Sequence, residues 1–164
     1  MSKTVAISGG FDPLHVGHIR YIKEARKLGD KLIVILNGDD FLIAKKGYCC
    51  LSAEDRREIL KAIEGVDEVC IYDAPPGDMT VIGALENIQP DIFAKGGDRR
   101  PDGVPIPEEA ICKELGIEIV YGVGGNDKPD SSSWIIDRVI EAKMAKECRD
   151  RLVAMGEEGP GGGN

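Results

Sequence analysis

Only two histidines and one tryptophan occur among the 164 residues, and three phenylalanines with four tyrosines bring the aromatic content to just 5%. So few imidazoles argue against a histidine-built zinc centre. His15 and His18 would need a third and a fourth ligand, and no H-x-x-E-H, H-E-x-x-H or C-x-x-C companion stands near them. No apolar run approaches the ~20 residues that span a bilayer. Residues 1–15 lack the basic start, apolar centre and small-residue cleavage site of a signal peptide. These absences predict a soluble cytoplasmic protein with no membrane role. Cys49, Cys50, Cys70, Cys112 and Cys148 are odd in number and have no ligand spacing, which argues against both a disulfide framework and a metal site. Cys70 reads as a core thiol, and the Cys49–Cys50 pair as either pocket wall or surface. A net charge of −8 argues against a general nucleic-acid binder. The glycines form neither a G-x-x-x-x-G-K-[ST] loop nor a strand-linked G-x-G-x-x-G, so P-loop hydrolysis and dinucleotide redox chemistry fall away.

What the chain does carry is concentrated at Gly9-Gly10-Phe11-Asp12-Pro13-Leu14-His15-Val16-Gly17-His18. The upstream run Thr4–Ile7 is short, apolar and partly β-branched, and reads as a buried strand delivering this turn to a strand's carboxyl end, the ligand edge of an open α/β sheet. From His18 onward, Ile19, Ile22 and Ala25 recur at helical spacing, and Gly29 is placed to end the helix in a left-handed conformation. His18 therefore falls at a helix N-terminus, where free amides and the dipole favour phosphate, and His15 can converge on the same oxygens. The competing reading is that one histidine merely caps the helix or fills the core. Both histidines of the chain lie in this one turn, which suits the handling of a nucleoside triphosphate.

Apolar segments at 31–37, 68–72, 91–94 and 117–121 read as further strands, separated by helix candidates at 52–64, 78–88 and 107–115. This alternation predicts a parallel sheet with helices on its faces. Residues 38–50 form a long segment bracketed by glycines, carry Lys45 and Lys46, and read as a mobile lid. A last helix is expected from Ser131 or Ser132 through Trp134, Ile135, Val139 and Ala142 to about Met155, with its apolar face against the sheet or a second molecule and Trp134 as its anchor. Residues 1–155 form the expected single domain, and 156–164 a disordered Gly-rich tail.

The GGFDPLHVGH string closely resembles the signature of the nucleotidyltransferase superfamily that includes glycerol-3-phosphate, phosphoethanolamine and phosphocholine cytidylyltransferases, pantetheine-phosphate adenylyltransferase and the heptose 1-phosphate adenylyltransferase domain. The resemblance runs over roughly residues 4–142. Ser52–Leu60 resembles the helix whose arginine, here Arg56, faces substrate phosphate. Ala94-Lys95-Gly96-Gly97-Asp98 resembles the K-G-G-D element of heptose-type enzymes, and Asp130-Ser131-Ser132-Ser133-Trp134 resembles the segment that opens a helix on the nucleotide phosphates. The implied fold is a Rossmann-like three-layer α/β sandwich with a five-stranded parallel sheet.

The resemblance implies attack by a substrate phosphate oxygen on the nucleotide α-phosphate, with pyrophosphate leaving. His15, His18, Lys46 and Arg56 are the catalytic candidates, with Lys45 as the register alternative to Lys46. Gly9, Gly10, Phe11, Asp12, His15, His18, Lys95, Gly97, Asp98, Ser131, Ser132 and Ser133 are the nucleotide-site candidates. Asp12 can orient a histidine or a metal-bound water, or simply form a turn and cap. One serine of 131–133 can be a plain N-cap, and Lys95–Asp98 a strand-ending turn. Mg2+ is expected with the triphosphate, and no residue is singled out as its ligand.

Two departures stand out. Gly10 replaces a Thr or Cys of relatives, and Asn126–Asp130 replaces an R-T-E-G-I pattern, so an arginine contact to nucleotide phosphate is lost unless Lys128 or Arg138 supplies it. The favoured reaction joins ATP to a heptose or related sugar 1-phosphate. The alternatives are a CTP-dependent enzyme for glycerol 3-phosphate or another polyol or amino-alcohol phosphate, and a nucleotide-binding regulator without turnover. A homodimer is expected from the relatives.

Overall fold

A computed structural model describes residues 2–97, 105–125 and 131–155. Asp98 and the expected tail from 156 lie outside these described residues, as does Lys128. The strands are β1 (Thr4–Gly9), β2 (Lys31–Asn37), β3 (Glu68–Tyr72), β4 (Ile92–Gly96) and β5 (Glu118–Val123). The helices are α1 (Val16–Arg26), α2 (Asp39–Lys46), α3 (Ala53–Lys61), α4 (Ile82–Ile88), α5 (Glu109–Leu115) and α6 (Ser132–Ala154).

All five strands are parallel, in the order β3-β2-β1-β4-β5. The three inner strands read almost continuously apolar because both faces are covered. On one face Val5, Ile7, Leu32, Val34 and Leu36 pack under Ile22 of α1 and Leu60 of α3. On the other, Ala6, Ile35 and Phe93 pack under Leu85 of α4 and Cys112 of α5. The strand order reverses at β1, so the crevice for a ligand opens beyond the carboxyl ends of β1 and β4.

Three aspartates close the opposite edge. Asp30, Asp91 and Asp67 precede β2, β4 and β3, and each accepts a hydrogen bond from a backbone amide at the start of the neighbouring strand: Lys3, Thr4 and Leu32 respectively, all at 2.7 Å. Acidic charge is thereby tied up at the amino edge of the sheet, away from the crevice.

The structure corrects several expectations. The segment 38–50 is not a bare loop, because α2 occupies its centre and is fastened by the buried Leu42, with Gly38 and Gly47 as its caps. The helix expected from 78 begins at Ile82, because the Asp78 carboxylate instead accepts bonds from the Thr80 amide and hydroxyl in a turn. The helix expected from 107 begins at Glu109. Cys112 is the core thiol, whereas Cys70 sits half-buried beside Glu68 on the edge strand. Helix α6 does not pack on the sheet: residues 137–155 are all exposed, and Trp134 is exposed rather than anchoring. No helix among the described residues is long and apolar enough to cross a membrane.

Gly29 is not left-handed; α1 ends at Lys27 in right-handed geometry. Gly29 is required for close approach instead, since a Cβ there would lie 2.6 Å from the Lys3 carbonyl oxygen and 2.7 Å from Val5 Cγ2. Gly29→Ala should therefore destabilise the fold by about 1–3 kcal/mol through overpacking against backbone. A urea midpoint equal to that of the unaltered protein would refute this.

Candidate active site

One cavity of about 740 Å³ opens at the carboxyl edge of the sheet. Its wall includes Gly9, Gly10, Phe11, His15 and His18 from the turn after β1, Lys45 and Lys46 from α2, Lys95, Gly96 and Gly97 from the end of β4, and Ser131, Ser132 and Ser133 at the start of α6. The structure thus brings together most of the residues singled out in the sequence.

The histidines are held by a reciprocal cap. His15 is the N-cap of α1 and His18 its third residue. His15 Nδ1 accepts from the Gly17 amide at 3.1 Å, and His18 Nδ1 accepts from the His15 amide at 3.3 Å. The rings stack with centroids 3.9 Å apart, and Phe11, in left-handed backbone geometry, lays its ring 4.9 Å from that of His18. A neutral imidazole whose Nδ1 accepts carries its proton on Nε2, so each neutral ring offers an Nε2–H donor. Burial, reinforced by His15 and Lys46, lowers the His18 pKa to about 3, so this ring is neutral at physiological pH. Capping does not remove the histidines from the cavity: both cap α1 through Nδ1 and both line the cavity wall.

Lys46 donates to the Asp12 carbonyl at 3.4 Å, and burial pulls its ammonium below the usual lysine range. Lys45 stands over Phe41, and Lys95 over Phe93 with Nζ 4.6 Å from the ring centroid. Ser131 caps α6 by accepting from the Trp134 amide at 3.2 Å, Ser132 donates to the Pro13 carbonyl at 2.9 Å, and Ser133 is exposed. One serine is thus the plain cap, one ties α6 to the histidine turn, and all three still line the cavity.

Two candidates are elsewhere. Arg56 is only 1% exposed and lies beneath the cavity wall rather than in it. Its Nε donates to the Leu51 carbonyl at 2.9 Å, and its Nη1 to the Gly10 and Asn37 carbonyls at 2.8 Å each. Its Nη2 donates to Asp39 Oδ1 at 2.6 Å and reaches Cys49 Sγ at 4.0 Å. With its five N–H donors spent on the protein, Arg56 has none left for a substrate phosphate. Asp12 is fully buried, and its carboxylate accepts from the Cys50 and Leu51 amides at 2.6 and 3.0 Å, so it ties down the α2–α3 connection and does not line the cavity. Cys49 joins that scaffold: burial and the neighbouring Asp39 carboxylate raise its thiol to about 11, and it donates to Asp39 and to the Leu51 carbonyl. Asp98 lies outside the described residues.

Gly10 is matched by Leu42, whose Cδ2 would lie 2.5 Å from a Cβ at position 10. The volume that a Thr or Cys side chain would take there is filled from α2. The cavity also has a wall that the sequence reading missed, formed by Asn37, Met79, Val81 and Glu108. Among the described residues no group of three His, Cys, Asp or Glu side chains is placed to hold a metal ion, and the Asp12 carboxylate is already occupied by amides.

The His18 geometry has a measurable consequence. Between its ordinary value of 6.5 and about 3 the unfolded chain binds a proton there that the folded protein refuses. Stability should therefore fall as pH is lowered through that window. His18→Asn should flatten the dependence in urea titrations from pH 7 to 4, and parallel curves for the two proteins would contradict the assignment.

Residues 6–138 match the Cytidylyltransferase-like family. The chain is 38% identical over 117 residues to an FAD synthase from Pyrococcus abyssi, covering 71% of this chain and 77% of that protein. It is 34% identical over 143 residues to the bifunctional protein HldE of Syntrophotalea carbinolica, covering 85% of this chain but only 27% of that longer protein. The crystal structure of a lipopolysaccharide core biosynthesis protein from Thermoplasma volcanium superposes with a TM-score of 0.60 at 27% identity, covering 74% of this chain and 96% of that one. A five-stranded parallel sheet carrying the H-x-G-H turn at its switch point, together with these matches, shows that the chain belongs to the cytidylyltransferase-like family of nucleotidyltransferases.

Proposed function

We propose that the protein transfers the nucleoside monophosphate of ATP to a heptose 1-phosphate or related sugar 1-phosphate, releasing pyrophosphate. The observation that carries the reaction class is the convergence of two imidazole Nε2 donors, Lys46, Lys95 and the α6 N-terminus on one cavity at the β1–β4 crevice. An oxygen of the acceptor phosphate attacks the α-phosphorus, and the bond from that phosphorus to the bridging oxygen breaks, so pyrophosphate leaves with the bonding electrons. The nucleophile is already anionic, so the site need only align the reactants and stabilise charge on the α-phosphoryl oxygens. His18 serves as a neutral donor and His15 as a second donor to those oxygens, Lys46 grips the acceptor phosphate, and Lys95 with the amides of α6 holds the leaving pyrophosphate. Arg56 and Asp12 contribute by fixing the floor on which Gly10 and Lys46 sit. Mg2+, which would neutralise triphosphate charge, has no cage of side chains among the described residues, and we assign its ligands to the nucleotide itself.

The sugar phosphate is favoured by the Lys95-Gly96-Gly97 element and by the HldE-type relatives. A second reading comes from the FAD synthase relatives: FAD is AMP joined to FMN, itself a phosphate ester, so the same site would perform the same displacement. The test is pyrophosphate release from ATP, CTP, GTP and UTP against heptose 1-phosphate, FMN and glycerol 3-phosphate. Turnover with ATP and the sugar phosphate is expected, and His18→Gln should lower kcat by about 10²–10³-fold, the cost of one transition-state donor. Tight nucleotide binding with no pyrophosphate from any pair would instead make the protein a nucleotide-binding regulator.

We also propose a homodimer formed through α6. This 23-residue helix exposes Val139, Ile140, Met144, Leu152 and Val153, and among the described residues its positions 137–155 are all solvent-exposed. A lone helix draws most of its stability from packing, which a second copy would supply. Sedimentation should show a dimer that Met144→Glu converts to monomer; a monomeric parent protein would exclude it.

A further inference from the structure

Among the described residues, one buried side-chain oxygen or nitrogen has no hydrogen-bond partner: Oδ1 of Asn37, a residue only 7% exposed. It lines the active-site cavity. Its backbone carbonyl is gripped by Arg56 and its strand pairs with β3 at Tyr72, while the side-chain oxygen is left without a donor. An unpaired buried amide is a standing cost to the fold, which points to a ligand that completes it.

The chemistry of that ligand follows from what surrounds the amide. By strand alternation Asn37 shares the sheet face of Ile35, the side covered by α4 and α5. The wall there continues into Met79 and Val81, and into Glu108, 6% exposed, whose Oε1 accepts from the Val81 amide at 3.3 Å. Elsewhere the cavity presents donors: imidazole N–H, lysine ammonium and helix amides. This wall presents acceptors, an amide oxygen and a carboxylate. Phosphate oxygens are acceptors too and have nothing to give here, whereas a hydroxyl donates. The position selects between the two hydroxyl-bearing substrates. Nucleotide phosphates belong at the β1–β4 crevice, and β2 lies on the other side of β1, adjoining Lys46 and α2.

We propose that Asn37 is a specificity-determining residue that accepts a hydrogen bond from a hydroxyl of the acceptor substrate, so that the acceptor is the phosphate ester of a polyhydroxylated carbon chain. This rests on the nucleotidyltransferase reading above and narrows its acceptor. Sugar phosphates, glycerol 3-phosphate and FMN, with its ribityl chain, all meet the description; a phosphate ester lacking hydroxyls does not.

The test is direct binding, which does not require turnover. Calorimetry would compare inorganic phosphate with heptose 1-phosphate, a hexose 1-phosphate, glycerol 3-phosphate and FMN, on the full chain and on Asn37→Leu, a swap of similar volume that removes the unpaired amide and should not lower the melting temperature. At least one hydroxylated ester should bind more tightly than inorganic phosphate. Asn37→Leu should remove that advantage by about tenfold, as expected for one lost hydrogen bond in a closed site, while affinity for a non-hydrolysable ATP analogue stays within about twofold. Asn37→Ala, which only truncates the side chain, should behave likewise if the leucine variant folds poorly. Equal affinity for phosphate and all esters, or an unchanged advantage in the variants, overturns the inference. A parallel loss of ATP-analogue binding overturns it as well, by assigning the hydroxyl to the nucleotide ribose. Failure of the nucleotidyltransferase reading would look different: esters bound through Asn37 with no pyrophosphate released.

Discussion

The guanidinium of Arg56 sits where the ends of β1 and β2 meet the starts of α2 and α3, and the cavity floor depends on it. It gathers the carbonyls of Gly10, Asn37 and Leu51 and the carboxylate of Asp39, groups contributed by separate turns. Only a planar fork with five donors can do this from one buried point; a lysine has three donors on a single atom and would leave carbonyls unpaired. The Asp12 carboxylate completes the knot from the other side by accepting two amides just ahead of α3. Gly10, Asn37 and Lys46 therefore inherit their positions from Arg56, Asp12 and Asp39, side chains that do not line the cavity.

The same economy explains how an acidic chain can build an anion site. Asp30, Asp67 and Asp91 are fixed on backbone amides at the amino edge of the sheet, a strand's length from the crevice. Asp12 on the histidine turn is engaged by amides and Asp39 at the start of α2 by Arg56; burial alone would raise the Asp39 pKa, yet the bonds from Arg56 and Cys49 hold it below the usual carboxylate range. Lys45, Lys46 and Lys95 are left on the cavity side with the N-termini of α1 and α6. Net charge describes the whole surface, and recognition depends on how that charge is partitioned.

Much of this was legible in the sequence, because apolar runs punctuated by glycine and proline are dictated by burial on both faces of a parallel sheet. The histidine turn was legible because its residues are contiguous. Arg56 and Asp12 were not: whether a guanidinium meets a phosphate or carbonyls depends on Gly10 and Asn37 arriving beside it from 46 and 19 residues away, which no local pattern records. Helix α2 escaped notice because its bracketing glycines are caps as readily as loop residues. Asn37 and Glu108 gave no signal at all, since a single polar residue at the end of an apolar run reads as a strand terminus and a glutamate ahead of a helix as an ordinary N-terminal acid. The sign that marks Asn37, an amide oxygen without a donor, exists only once its neighbours are in place.

The spacing of the two histidines can be understood from the helix rather than from the ligand. Residues at the N-cap and third positions are the pair that can satisfy each other's backbone amides, and serine with glutamate is the usual choice. Either would cap α1 here, but each would turn its whole polar group back to the main chain or bring a negative charge to an anion site. Imidazole has two nitrogens, separated by one carbon, whose hydrogen-bonding directions diverge from a rigid ring. With Nδ1 spent on the cap, the neutral ring must carry its proton on Nε2, so the bond that starts the helix also sets the tautomer that faces the cavity. Burial then keeps His18 in that neutral form across the physiological range. The donor is thus available without a pH-dependent switch, as a reaction with an already anionic nucleophile requires. The H-x-G-H spacing is what places two such rings on one helical turn.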